Sequence, residues 1–145
     1  GMTSARFAPS ALRTGVVVWD LELHNTDPSN YYRGQAQSGG PPEGLLQIAT
    51  GGTYLILASV LLTDGGAPHE LDVDLYVDGA IGYPTTRVDS FRGTTGPNGG
   101  VSVKLGGVFA MPNGGTVIVQ TGSQAWIHGD PDPRWTSLSV VKLSD

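Results

Sequence analysis

The sequence predicts an all-β domain of some eight to ten short strands, a sandwich, jelly roll or barrel, and three observations carry that expectation. Wherever the chain is hydrophobic, apolar side chains recur with the two-residue period of a strand rather than the period of about 3.6 of a helix. Turn formers punctuate these runs at regular intervals, with 22 glycines and 10 prolines in 145 residues. Charged residues are only 14% of the chain, too few to coat the solvent face of long surface helices. A chain of 145 residues is one domain by size, and 39% hydrophobic residues supply a core without cross-links, consistent with the absence of cysteine.

Residues 1–13 carry Pro9 and no sustained period, and read as an N-terminal arm or tail ahead of a single domain over 14–145. Phe7 and Leu12 are apolar residues that a free tail rarely needs, so the arm is expected to dock on a neighbouring subunit or a larger particle protein. Val17, Trp19, Leu21 and Leu23 then alternate with Val18, Asp20, Glu22 and His24, a half-buried strand closed by Asn25-Thr-Asp-Pro28. Tyr31 and Tyr32 open a short second strand before the loop at 37–44, and Leu46 and Ile48 mark a third. Residues 53–63 are apolar on both faces: Tyr54, Ile56, Ala58, Val60 and Leu62 on one, Leu55, Leu57 and Leu61 on the other. Their β-branched and aromatic content, bracketed by glycine pairs, predicts a strand covered on both sides. Leu71, Val73, Leu75 and Val77 alternate with Asp72, Asp74, Tyr76 and Asp78, and Asp78-Gly79 predicts a two-residue hairpin. Further strands are expected near 85–91, 101–111, 116–121 and 136–143. The paired Pro-Asn-Gly-Gly segments at 97–100 and 112–115 are turn chemistry used twice.

Taken in order, these pieces resemble the jelly-roll heads of complement component one, subunit q, and tumour necrosis factor, in the form found in bacterial and bacteriophage particle proteins. Gly52-Thr-Tyr54-Leu-Ile56 is similar to the Gly-x-Tyr core strand of that family, and Val17–His24 resembles its first strand. Leu71–Gly79 resembles its hairpin strand, Val108–Val119 its leucine-rich strand, turn and valine strand, and Ser137–Leu143 its terminal strand. The sequence departs from the pattern at Ile56 and Ala58, where aliphatic side chains replace aromatics, and it contains no collagen-like repeat. The resemblance implies a jelly-roll β-sandwich of two antiparallel sheets, and a homotrimer in which the outer face of the 53–63 strand meets symmetry mates. The interface residues it implies are Leu55, Leu57 and Leu61, with Val117 and Val119 on a strand beside them. Trp19, Tyr54, Ile56, Val60, Leu75, Phe109 and Leu138 are expected in the core.

Little in the chain points to catalysis. His24, His69 and His128 share no ligand spacing, no Gly-x-Ser-x-Gly elbow is present, and the glycine-rich segments lack the Lys-Ser/Thr ending of a phosphate loop. Asp72 and Asp74 project from one side of a strand, about 7 Å apart at a rise of roughly 3.3 Å per residue, a spacing compatible with paired acid–base work or calcium and equally with a solvated strand face. His128, Asp130, Asp132 and Trp135, with Trp126 nearby, form a proline-bracketed segment that can bind a ligand such as a surface glycan, or simply connect strands. No catalytic residue, metal or cofactor is expected. The net charge of −5 disfavours nucleic acid and anionic membranes as partners, and the longest apolar run falls short of the ~20 residues of a membrane span. The N-terminus has no apolar core of signal-peptide length. Gly1 before Met2 resembles the remnant of a cleaved tag, and the expected location is a virion or the extracellular space, reached by lysis, in a particle or by a dedicated route.

Overall fold

The doubly apolar run at 53–63 becomes one of the two longest strands and an inner one, and the architecture is built around it. The structure is a computed structural model. It describes residues 2–10, 14–34, 44–63, 70–94, 100–122 and 136–145, together with the backbone of 126–127. Described in chain order are β1 (Ser4–Ala8), β2 (Leu21–Asn25), β3 (Tyr31–Arg33), β4 (Leu46–Ile48), β5 (Gly52–Thr63), β6 (Glu70–Asp78), β7 (Arg87–Thr94), β8 (Gly100–Met111), β9 (Gly115–Thr121), β10 (Trp126–Ile127) and β11 (Ser137–Ser144). Among the described residues there is no helix, hence none long and apolar enough to cross a membrane.

The strands form two antiparallel sheets. The first runs β8-β5-β11-β1-β2, and the short β10 pairs with Leu62 and Thr63 of β5 beyond the stretch that β11 covers. The second runs β3-β4-β9-β6-β7. Alternation decides what lies between them. Tyr54, Ile56, Ala58, Val60 and Leu62 of β5 are fully buried and share one core with Leu71, Val73 and Leu75 of β6. At about 1.5–3 kcal/mol for each large apolar side chain removed from water, this layer dominates the folding free energy. Trp19, Tyr54, Ile56, Val60, Leu75, Phe109 and Leu138 are each at most 1% exposed. The result is a jelly-roll sandwich.

Four sequence expectations are corrected. Residues 1–13 are not an arm throughout: β1 is an inner strand, paired with β11 on one side and β2 on the other, with Phe7 and Ala8 fully buried. Burial alternates only from Ser4 to Phe7, and two of the three buried side chains, Ala5 and Ala8, are alanine, so the hydrophobic signal is faint. The strand expected over Val17–His24 begins only at Leu21; Val16 makes an isolated bridge to Gln120, and Val17 donates its N–H to the Val119 carbonyl in the other sheet. Asp78-Gly79 does not close a two-residue hairpin, because β7 starts only at Arg87. Gly79 does take a positive φ of 108°, but the segment after it crosses to the first sheet, where Ile81 N–H donates to the Ala110 carbonyl at 3.0 Å.

The fourth correction concerns β9. It lies in the second sheet between β4 and β6, not beside β5, and Val117 and Val119 are fully buried in the sandwich core. The run Val117-Ile-Val119 is apolar at successive positions, so periodicity alone does not say which face turns inward.

Candidate functional site

Alternation along β5 places Leu55, Leu57 and Leu61 on the face of the first sheet that points away from the core. Register brings further side chains beside them. Leu55 lies opposite Val108 of β8 and Val141 of β11, and Leu57 lies opposite Gly106 and Ser139. Leu57 is 45% exposed and Val108 55%, while Leu55, Leu61 and Val141 are half-buried. Leucines and valines exposed or half-exposed side by side make this face an apolar patch rather than a solvated strand face. The charge pattern agrees. Strands β8, β5, β11 and β1 hold only three charged residues, Arg6, Lys104 and Lys142, all cationic, in a chain of net charge −5.

A second apolar patch lies at the sandwich edge where β7 and β8 meet. Ile81 is 61% exposed and Tyr83 41%, and the Tyr83 ring packs on Phe109 with centroids 5.4 Å apart. Sequence reasoning passed over this patch, although two large apolar residues in Ala80-Ile81-Gly82-Tyr83, inside a turn-rich segment, were the signal. The same edge is closed by chemistry that protects it from open-ended strand pairing. Asp89 of β7 accepts a hydrogen bond from the Gly106 N–H of β8 at 3.0 Å, so one backbone donor of this edge strand is already capped.

The acidic pair on β6 is tied to an arginine. Arg92 donates to Asp74 at 3.1 Å and lies 3.9 Å from Asp72. The hydrogen bond to Asp74, working against desolvation, raises the guanidinium pKa above its ordinary value. Carboxylates neutralised in this way are poorly placed for acid–base work or calcium. Among the described residues no three His, Asp or Glu side chains gather closely enough to hold a metal ion. His24 is a surface residue whose Nε2 lies 2.8 Å from the Ser4 hydroxyl. His69, His128, Asp130, Asp132 and Trp135 lie outside the described residues, so the expected ligand segment has no described geometry.

A separate open cleft of about 440 Å³ lies between the β2 and β3 segments, lined by Trp19, Asp20, Glu22, Pro28, Tyr32 and Arg33 among others. Arg33 donates to the Asp20 carbonyl, and both Asp20 carboxylate oxygens accept bonds from Ser10, one from its N–H and one from its hydroxyl. Partial burial pushes the Asp20 carboxyl upward. The bonds from Ser10, with help from Arg33, outweigh it and leave the group below the usual carboxylate range.

No family model matches the chain, and no curated protein sequence matches it. Solved structures do. Murine APRIL at pH 5.0 superposes with a TM-score of 0.71 at 19% identity, covering 99% of this chain and all of the other. The fold is the tumour necrosis factor-like jelly roll. GITRL from pika matches with a TM-score of 0.62 at 14% identity, over 99% of this chain and 98% of that one. Murine APRIL at pH 8.0 gives 0.62 at 19% identity. At such identities the likeness is one of fold, and it extends over nearly the whole jelly roll, β1 included.

Proposed function

We propose that the protein is a non-enzymatic jelly-roll module that assembles as a homotrimer through the outer face of the β5 sheet, and serves as a structural or attachment component of a phage or phage-derived particle, on a virion or outside the cell. Support comes first from the apolar stripe of half-buried Leu55 and exposed Leu57 on the inner strand β5, with exposed Val108 on the neighbouring strand β8. The Ile81/Tyr83 edge is a different surface, so pairing edge to face is heterologous, and heterologous contacts form a ring where the rotation between copies closes. The jelly roll shared with the solved structures is compatible with such a ring, and the resemblance to cysteine-free, glycine-rich particle proteins favours the particle role. The ion-paired state of Asp72 and Asp74 supports a non-enzymatic reading.

Light scattering tests the assembly. The wild type is expected at three times the 15.1 kDa protomer mass at micromolar concentration, and a monomer overturns the reading. Leu57→Asp would place a charge on each copy of a water-poor face, where an unpaired carboxylate is costly, and is expected to yield monomer. The particle role is tested by mass spectrometry of purified particles, in which the chain is expected in amounts matching a structural component.

A second reading, carbohydrate binding, is favoured by the cleft, which combines the half-exposed Tyr32 ring with Asp20, Glu22 and Arg33. Aromatic faces stack on sugar rings, and carboxylates and guanidinium groups bond their hydroxyls. A glycan array with the wild type and Tyr32→Ala checks it: saturable binding that the variant loses is the expected result.

A further inference from the structure

The segment Pro-Asn-Gly-Gly occurs twice, at 97–100 and at 112–115. In Asn-Gly the glycine leaves its backbone nitrogen unhindered, so this nitrogen readily attacks the asparagine side chain whenever the chain is free to turn. Residues 97–99 lie outside the described residues. The second copy carries the chain from β8 in the first sheet to β9 in the second, and both ends of the crossing are paired: Met111 with Gly52, Gly115 with Ile48. The Gly114 N–H donates to the Met111 carbonyl at 3.1 Å. Gly114 is buried with a φ of 72°, and a Cβ there would collide with the Ile48 carbonyl, as one on Gly115 would with the Asp78 carbonyl. Asn113 itself is exposed.

We propose that Asn113 is a deamidation site gated by the fold, protected while the 111–115 turn is seated and converted irreversibly when this end of the sandwich opens. The Gly114 nitrogen attacks Asn113 Cγ and gives up its proton, the side-chain amino group leaves as ammonia, and a cyclic succinimide forms. Water then adds to either ring carbonyl and opens the ring to aspartate or isoaspartate; no oxidant, metal or cofactor takes part. In the seated turn the nitrogen cannot swing to Cγ without breaking its bond to Met111 and lifting Gly114 away from Ile48. The reaction therefore follows local opening. Its two products part at refolding. Aspartate alters only an exposed side chain, whereas isoaspartate routes the main chain through Cβ and lengthens it just before two positions that have no room for a Cβ. An opening thus leaves a covalent record that bars part of the population from closing again. The site belongs to the protomer and depends on neither the trimer nor a ligand.

Incubation of the full chain at mildly alkaline pH, in native buffer and in concentrated urea, tests the site by peptide mass spectrometry. Trypsin separates the two copies by cutting after Lys104, and the identical tetrapeptides make Asn98 the internal standard for the unfolded rate. In urea the two asparagines are expected to convert at similar rates. In native buffer Asn113 is expected to convert at least about tenfold more slowly than in urea, and the Gly114 amide to exchange its hydrogen correspondingly slowly. A native rate at Asn113 equal to its rate in urea, or a Gly114 amide that exchanges freely, overturns the gate. The fate of the products is read after refolding. Asn113→Asp is expected to melt as the wild type does, and chains carrying isoaspartate at 113 to melt lower or stay unfolded. Isoaspartyl chains that regain the wild-type melting temperature, or an Asn113→Asp chain that loses it, overturn the record.

Discussion

Asn30 shows how one buried polar side chain can hold separate segments together. It is 2% exposed; its Nδ2 donates to the Tyr54 hydroxyl at 3.1 Å, and its Oδ1 accepts from the Thr50 N–H at 2.8 Å and the Thr50 hydroxyl at 2.9 Å. Tyr54 in turn donates to the Thr50 carbonyl at 2.7 Å, so the start of β3 and the turn before β5 share a closed network. Asn30→Ala leaves these partners short inside the protein, and the expected cost is about 1–3 kcal/mol, read from urea denaturation. Asp20 makes a smaller, pH-dependent contribution. Its folded pKa lies below the unfolded value of 3.8, so its stabilisation is fully present above that value and fades as pH falls through the folded pKa. Asp20→Asn is therefore expected to lower the melting temperature slightly at neutral pH, and the gap to the wild type should narrow below about pH 4. A gap that widens in acid would contradict the assignment.

The strand β1 carries the largest revision at the level of elements. Removal of residues 2–8 takes out a central strand of the first sheet, and the expected outcome is loss of the folded protein rather than a domain lacking only its arm. Phe7→Ala, at a fully buried site, is expected to cost about 3–5 kcal/mol in chemical denaturation. Strands were legible where alternation is strong and bracketed by turns: β5, β6 and β11 stand out in the sequence as plainly as in the fold. Hidden were β1, whose small alanines mute the pattern, and β10, two residues long. The candidate face was half legible. A stripe of leucines on the second side of β5 is visible in the order of residues, because a two-layer sandwich buries only one side of each sheet. Sheet membership is not visible in that order, since it depends on which distant strands pair; Val117 and Val119 were therefore displaced from interface to core.

On the scale of the whole molecule, acidic side chains among the described strands concentrate on β6 of the second sheet, and the exposed leucine stripe lies on the first. Glu70, Asp72, Asp74 and Asp78 all lie on β6 of the second sheet, while the leucines and the three cations lie on the strands of the first. This separation predicts that Asp72→Ala leaves the trimer intact and costs no more than about 1 kcal/mol, checked by light scattering and denaturation side by side; dissociation would mean that the acidic sheet takes part in assembly. The place of β11, between β5 and β1, has a consequence for the order of events on a ribosome. Residues 4–8 emerge early, yet the strand that joins them to β5 spans 137–144 and emerges more than a hundred residues later. Until then β1 and β2 have no partner linking them to β5, and the sheet cannot close however quickly β5 and β8 find each other. Such non-local pairing is slow, and the leucine face stays open to other nascent chains throughout the wait.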